Sequence, residues 1–382
     1  MNILFLDQFS DLGGAQQVLL DTLDAVTERG WQAHVMIPAG GSLWDEIRLR
    51  RLTVSRIPCP RYRSGTKSAA DVLRFPSDLW RQVRAINDRT SRYDYHLIYV
   101  NGPRLLPAVA LADRGRARIL FHAHSHVPQK SAAWVAGRAL HHASACVVGC
   151  SESVLAPLRR FTGSSQSIPN GVRDMGFHRR EFGRGGRWRI GLIGRIAPEK
   201  GQMEFLQAIQ HLRGELPQGE FVICGAPLFG TPDRYTEAVH AMAQDLSVRL
   251  IPWQDDVSHV LRMLDVLVVP SKQEGMGRVA VEAFSAGVPV IAFPTGGIPE
   301  VVVDGRTGFL TRDASPEALA EALWRIARME ARTVQQVALN ARKAWRHSYT
   351  VTTYKERVTR LLETLLSAGT SEPETEALPQ RR

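Results

Sequence analysis

Short runs of near-continuous apolar residues alternate along the chain with longer stretches of helical period. Ile3–Asp7, Ala33–Ile37, Leu97–Val100, Ile119–Ala123 and Ala145–Gly149 make a first set of runs. Trp188–Ile193, Glu220–Cys224, Val248–Ile251, Val266–Val269 and Pro289–Ala292 make a second. Strands that are apolar at nearly every position belong in a sheet covered on both faces, as parallel sheets are. Helical segments such as Ala15–Arg29, Met203–Leu212, Arg234–Asp245 and Val279–Ala286 lie between them. Repeated βα units predict doubly wound sheets. The alternation restarts after the turn cluster Ser167-Ile168-Pro169-Asn170-Gly171-Val172 and the Gly/Arg-rich Arg179–Arg187, which puts a domain boundary near residue 178. The expected fold is α/β, with two Rossmann-like domains, 1–177 and 178–345, facing across a cleft. Ligands of such folds bind at the carboxyl ends of the strands.

Composition narrows this picture only slightly. At 382 residues, 44% hydrophobic and 23% charged, the chain can bury a sizeable core and is not expected to be disordered overall. No apolar run approaches the roughly 18–20 residues of a membrane span. The opening Met1–Asp7 has no basic segment and reads as a strand, not a secretion signal. Cys59, Cys146, Cys150 and Cys224 are too scattered for a disulfide framework, and Cys146 and Cys150 with His141 and His142 match no common zinc spacing. They read as ordinary thiols of a reducing compartment, which makes the expected location cytoplasmic. The last stretch, 368–382, is rich in Ser, Thr, Glu, Pro and Ala and reads as a disordered tail.

The charge is more informative. Of the net +10, all resides in residues 1–180, which hold 24 Lys+Arg against 14 Asp+Glu; the rest of the chain is balanced. Twelve basic residues fall between Arg48 and Arg92, including Arg61, Arg63, Lys67, Arg74, Arg81 and Arg84, against only Asp71, Asp78 and Asp88. Such a field attracts a phosphorylated substrate, an anionic membrane surface or nucleic acid. Leu73, Phe75, Leu79, Trp80, Val83 and Ile86 could form one apolar side of a helix here, lying either on a membrane or on the protein core.

Three loops carry candidate chemistry. Asp11-Leu12-Gly13-Gly14-Ala15-Gln16 follows the first strand and opens a helix, where glycines let backbone N–H groups approach a phosphate or sugar. Gly191-Leu192-Ile193-Gly194-Arg195 runs on to Glu199-Lys200-Gly201, presenting two cations on a loop before the next helix. A diphosphate leaving group needs its charge neutralised by a metal or by fixed cations and backbone dipoles. No Asp-X-Asp motif sits at a suitable strand end, so Arg195 and Lys200 can do a metal's work. Finally, Pro270-Ser271-Lys272-Gln273-Glu274-Gly275-Met276-Gly277-Arg278 joins a buried strand to a helix, with Glu274 in the loop and Glu282 about one turn into the helix. Carboxylates there can accept from sugar hydroxyls while loop amides face phosphate oxygens.

With these motifs goes a resemblance over nearly the whole chain to the retaining glycosyltransferases of the GT-B superfamily, family 4. It rests on Gly13-Gly14, Asn170-Gly171-Val172, the Gly-Arg…Glu-Lys-Gly loop, the Glu274/Glu282 pair, and Gly296-Gly297-Ile298-Pro299-Glu300 running on to Asp304-Gly305-Arg306-Thr307-Gly308. The resemblance implies an acceptor-binding first domain and a nucleotide-sugar-binding second domain. Arg195 and Lys200 would contact the diphosphate and Glu282 the ribose. Glu274 with the amides of Gly275, Met276 and Gly277 would meet the donor sugar and phosphate, and Gly225 and the Ile251–Trp253 strand end would approach the base. Trp345–Leu366 resembles the family's terminal helix, with 346–367 crossing back onto the first domain. Two residues depart from the pattern. Gln16 stands where the family has Glu, and Met276 where Phe is commoner; the latter is expected to matter little because backbone amides carry the contact.

His122, His124 and His126 alternate at the end of one strand and should share a face. The resemblance places a histidine here near the reacting sugar, with His124 the better fit and His126 the alternative. The implied activity is transfer of a hexose, with retention and without a metal or other cofactor, from a UDP- or GDP-type sugar. The acceptor would be a hydroxyl of a glycan or lipid-linked, anionic molecule, in lipopolysaccharide or other surface polysaccharide assembly. No nucleic-acid partner is implied, and contact with the inner face of the plasma membrane would run through 48–92. A sugar-nucleotide epimerase, a phosphorylase-like enzyme and a basic nucleic-acid-binding protein are the alternatives.

Overall fold

The computed structural model describes residues 1–59, 69–127, 129–178, 182, 187–212, 215, 219–227 and 234–367. The first sheet is built from β1 (Asn2–Leu6), β2 (Gln32–Ile37), β3 (Thr53–Arg56), β4 (Leu97–Val100), β5 (Arg118–Ala123), β6 (Cys146–Gly149) and β7 (Ser165–Ser167). Their order is β3-β2-β1-β4-β5-β6-β7 and every pairing is parallel. The second holds β8 (Trp188–Ile193), β9 (Gly219–Cys224), β10 (Arg249–Ile251), β11 (Val266–Val269), β12 (Val290–Ala292) and β13 (Phe309–Leu310), ordered β10-β9-β8-β11-β12-β13, again all parallel. The apolar runs in the sequence therefore supply the central strands of two doubly wound sheets. The sequence pattern misses β3, β7 and β13. All three lie at sheet edges, and β3 and β7 are largely polar and only partly buried.

Helices cover both faces of each sheet. On the first, α1 (Gly14–Glu28), α2 (Ser42–Leu49) and α14 (Val351–Ser367) close one core around Phe5, Leu19, Val35, Leu43 and Leu362. The opposite face packs against α3 (Ala69–Thr90), α4 (Leu106–Leu111) and α5 (Lys130–His142) through Ile86, Val109 and Leu140. On the second sheet, α7 (Gln202–His211), α8 (Arg234–Asp245) and α12 (Pro316–Ala327) bury Phe205, Val239 and Leu323. Its other face carries α9 (Ser258–Met263), α10 (Arg278–Ala286) and α11 (Ile298–Val301). That last apolar layer is continuous with the first domain through Val154, Val172, Met175, Met276 and Ile298.

The terminal segment expected as one helix from Trp345 is two. α13 (Ala331–Ser348) stops at Tyr349, whose carbonyl accepts from Val172 N at 2.8 Å, and the Thr350 hydroxyl then accepts from Thr353 N at 3.1 Å to start α14. Pairing with Val172 breaks the helix at the junction. Beyond it, α14 lies along α1: Tyr354 meets Thr22 hydroxyl to hydroxyl at 2.6 Å, and Glu363 pairs with Arg29 at 3.0 Å. At the same junction Arg342 makes a bidentate pair with Asp174, 2.7 Å on both arms, and donates to the Ser285 carbonyl.

The basic stretch divides in a way that its helical period predicts only in part, since Phe75 shares the face of Ile86 and is exposed all the same. On α3, Ile86 is buried and Leu79 and Val83 pack against the core, whereas Leu73, Phe75 and Trp80 are exposed. Arg81 pairs loosely with Asp78, and Arg84 lies over the Trp80 ring at 5.5 Å. Arg61, Arg63 and Lys67, most of Arg179–Arg187 and the tail 368–382 lie outside the described residues. Among the described residues no helix is long and apolar enough to cross a membrane.

Candidate functional site

The strand ends of the two sheets supply the site. In the second sheet β9, β8, β11 and β12 are neighbours, and their carboxyl ends lead into Gly225, Gly194-Arg195, Pro270-Ser271 and Phe293. After β8, Gly201 has φ +75°, and a Cβ there would lie 1.9 Å from the Pro270 carbonyl oxygen. Only glycine permits that approach, and it brings the Lys200 loop onto the β11 loop. The result is an ion pair between Lys200 Nζ and Glu274 Oε2 at 2.6 Å, both side chains largely shielded. Arg195, on the same loop, pairs with Glu199. Gly225 packs on the Gly194 carbonyl next to Arg195, while Trp253 stands on the exposed rim with its indole N–H donating to Asp255.

The β11 loop also meets the first domain. A Cβ on Gly275 would fall 2.2 Å from the His124 carbonyl oxygen, and the Gly275 carbonyl accepts from Ser151 Oγ at 2.7 Å. Glu274, Gly275 and His124 are thus brought together from opposite sides of the cleft. Met276 does not line an open surface: it is buried, and its sulfur accepts from Asn170 N at 3.2 Å. The sulfur thus serves the junction between the domains, a contact separate from the backbone amides expected to meet the donor. Gly277 begins α10 at φ +83°; neither Glu274 nor Glu282 caps the helix. Glu282 is held by Arg278 Nε at 3.1 Å, and burial raises its carboxyl while Arg278 opposes the rise.

Arg278 is the residue that motif spacing misses. Besides Glu282 it reaches the Gly171 carbonyl at 3.2 Å and lies beside Gly14 at the start of α1. Its charge also bears on Asp21 of α1, which is buried with one carboxylate oxygen unpartnered among the described residues. Burial pushes Asp21 up to about 6 against the pull of Arg278. A carboxyl raised from 3.8 to about 6 by folding favours the fold when protonated. That stability is complete below the unfolded value and is lost as pH rises through 6. Between pH 4.5 and 8, the stability of Asp21→Asn relative to the parent should rise by about 2 kcal/mol, read from urea unfolding at both values. A gap that does not change with pH would show Asp21 to be unshifted.

The first sheet contributes three neighbouring strand ends. Leu6 of β1 pairs with Val100 of β4, and Val100 with Phe121 of β5. The residues just beyond are therefore level: Asp7, Asn101 and His122-Ala123-His124. β5 ends at Ala123, so only His122 and His124 keep the alternation, their ring centroids 3.9 Å apart and the rings tilted by 35°. His126 lies beyond the strand and meets Ser153 Oγ at 3.2 Å. His124 Nε2 is 2.8 Å from Asn101 Oδ1, whose amide nitrogen lies 2.5 Å from Asp7. Burial and the Arg278 charge bring His124 down to about 3, so the ring is neutral at ordinary pH. Asp7 and Asn101 have one sequence signal, a polar residue directly after an apolar run. The Glu300 carboxylate, part of the Gly-Gly-Ile-Pro-Glu motif, accepts from Glu152 N and Ser153 N at 2.8 Å, tying α11 to α6 (Glu152–Leu155) across the junction.

Comparison with known proteins gives this geometry relatives. Residues 175–344 match the family model described as glycosyl transferases group 1, and residues 13–171 the glycosyl transferase 4-like domain. The chain is 29% identical over 353 residues to a GDP-mannose-dependent alpha-(1-6)-phosphatidylinositol monomannoside mannosyltransferase of Mycolicibacterium smegmatis, covering 80% of this chain and 88% of that one. It is 34% identical over 140 residues to the D-inositol 3-phosphate glycosyltransferase of Corynebacterium glutamicum, spanning about a third of that protein's length (34%). Among solved structures, Anabaena HepE in complex with UDP-glucose superposes with a TM-score of 0.79 at 23% identity, covering 95% of this chain and 100% of that one. Sucrose-phosphate synthase from Thermosynechococcus elongatus does so at 0.79 and 20%, covering 96% and 99%. The two facing Rossmann-like domains are the GT-B architecture.

Proposed function

The chain belongs to the group 1 glycosyl transferases, with a family 4-like first domain, and from that premise we propose that it transfers a hexose from a nucleotide diphosphate sugar to an acceptor hydroxyl. Both family models are of transferases, which favours this over the epimerase, phosphorylase and nucleic-acid-binding readings. The observation that carries it is the pairing of Lys200 with Glu274 on a glycine loop whose backbone lies against His124. In the resting pairs Lys200–Glu274, Arg195–Glu199 and Arg278–Glu282, each cation is held by a carboxylate that a donor would replace or share. Lys200 and Arg195 then neutralise the diphosphate as the anomeric bond breaks. Glu282 accepts from the ribose hydroxyls, and Glu274 with the Gly275–Gly277 amides holds the sugar. Gly225 and Trp253 flank the base, and Gly13-Gly14 and His124 border the reacting sugar from the first domain.

On this reading attack comes from the face that the leaving phosphate occupies, retaining the anomeric configuration, and two fixed cations stand where a metal would. Incubated with UDP-glucose or GDP-mannose in excess EDTA, the protein should give an α-linked product, read from the one-bond C1–H1 coupling of the anomeric centre. A β-linked product, or loss of turnover in EDTA restored by added Mg²⁺, would overturn those parts of the reading.

The acceptor on this reading is phosphorylated or lipid-linked. Support comes from the basic first half and from relatives named for inositol 3-phosphate and phosphatidylinositol mannoside. Exposed Leu73, Phe75 and Trp80 beside Arg74, Arg81 and Arg84 on α3 suit the inner face of an anionic membrane, with the protein cytoplasmic. Arg81→Glu with Arg84→Glu should weaken binding to phosphatidylglycerol vesicles and leave donor affinity unchanged. Unaltered vesicle binding would remove the membrane contact from the account.

A further inference from the structure

Asp7, Asn101 and His124 form a directional chain whose polarity can be read from its acceptors. The Asn101 amide group could in principle be turned either way. Its nitrogen, however, lies 2.5 Å from Asp7 Oδ2 and 3.4 Å from the Ala15 carbonyl oxygen, both acceptors at the pH where Asp7 is ionised. The amide nitrogen must therefore face them and Oδ1 must face His124, 2.8 Å from Nε2. An amide oxygen only accepts, so Nε2 carries the ring proton. Nδ1 is left with its lone pair, buried and without a hydrogen-bond partner among the described residues.

We infer that Asp7, acting through Asn101, fixes the tautomer of His124 with the proton on Nε2, so that Nδ1 is an obligatory acceptor for a sugar or acceptor hydroxyl. Asp7 and Asn101 are positioning residues, and the inference rests on His124 bordering the reacting sugar. Asp7 is itself held in place. Its carboxylate accepts from Phe9 N at 2.8 Å and from Gln16 Nε2 at 3.2 and 3.0 Å on its two oxygens. This accounts for the departure at position 16, since a glutamate there would set a second carboxylate against Asp7, whereas the amide of Gln16 donates to it. The Asp7 carboxyl is fully buried and pushed up to about 6 by that burial, so it is ionised at pH 7.5. The arrangement has the logic of an acid that orients a histidine, with an amide interposed between the two.

The test uses the full chain labelled with ¹⁵N-histidine, with the His124 signals assigned from a His124→Gln spectrum. Long-range ¹H–¹⁵N correlations at pH 7.5 report which ring nitrogen is protonated. The parent should show Nε2–H. In Asp7→Asn, only the long 3.4 Å contact to the Ala15 carbonyl still favours one turn of Asn101, so the tautomer should shift and kcat fall about 100-fold with donor KM little changed. In the exchanged pair Asp7→Asn with Asn101→Asp, the carboxylate at 101 again accepts from Nε2. Both the tautomer and at least a tenfold share of the lost rate should return. A purely structural role predicts that the double variant is worse than either single one. A parent with Nδ1–H, or a tautomer unmoved by Asp7→Asn, overturns the inference whether or not the variants fold well. A tautomer that moves while kcat does not overturns the placement of His124 at the reacting sugar and leaves the relay standing.

Discussion

Replacing Lys200 by alanine is expected to lower kcat about 10²–10³-fold, or about 2.7–4 kcal/mol of transition-state stabilisation. The ammonium is positioned before any donor arrives, 2.6 Å from Glu274 on a loop that Gly201 presses against Pro270. As the anomeric bond breaks, negative charge gathers on the diphosphate, and a fixed cation gains strength at that moment without having to reorganise. Lys200→Ala also strands the Glu274 carboxylate, whose side chain is only 15% exposed, with no counter-ion. Lys200→Ala and Glu274→Ala should therefore not be additive: the double variant should lose far less than the product of the two single losses. Lys200→Arg should rescue poorly, because the wider guanidinium does not fit the place of a compact ammonium. A loss below tenfold in Lys200→Ala, or strict additivity, would contradict this role.

The second large effect is steric. Gly275→Ala sets a methyl group 2.2 Å from the His124 carbonyl oxygen and 3.3 Å from Cys150 Sγ, and neither the strand end nor the buried thiol can retreat freely. The loop must back away from the first domain, which loosens the Ser151–Gly275 hydrogen bond and separates Glu274 from His124. A displacement of about 1 Å between reacting groups costs on the order of 100-fold in rate. Gly275→Ala should lose that much in kcat with a smaller loss of donor affinity, since Arg195 and Glu282 keep their places in the second domain while the loop amides shift. Steady-state kinetics beside calorimetric donor binding separate the two quantities. Activity within twofold of the parent would mean that the close approach of the two domains here is not required.

The contrast between what the sequence discloses and what it hides follows burial and distance. Strands such as Leu97–Val100 and Val266–Val269 are legible because both faces are covered and each position must be apolar. Thr53–Arg56 and Ser165–Ser167 are not, because an edge strand is held by its neighbour's backbone and not by its own side chains. Glycine loops and cations mark out the proposed donor half of the site in the sequence, since phosphate chemistry restricts residue choice locally. Contacts between the domains leave no such local trace. Arg278 finds the Gly171 carbonyl 107 residues away, and Met276 finds Asn170 N 106 away. The division of α3 between core and solvent is only partly visible: at about 100° per residue Leu73 and Trp80 fall well round the helix from Ile86, whereas Phe75 shares its face and only the packed sheet decides that it stays exposed.

The central claim is that the second domain holds a nucleotide diphosphate sugar through Arg195, Lys200, Glu274 and Glu282. The most direct measurement is calorimetric titration of the purified chain with UDP-, GDP-, ADP- and dTDP-sugars in EDTA, repeated with Arg195→Ala and Glu282→Ala. The account predicts saturable binding of at least one donor, weakened at least tenfold by each substitution. Donor binding that neither substitution weakens would contradict it.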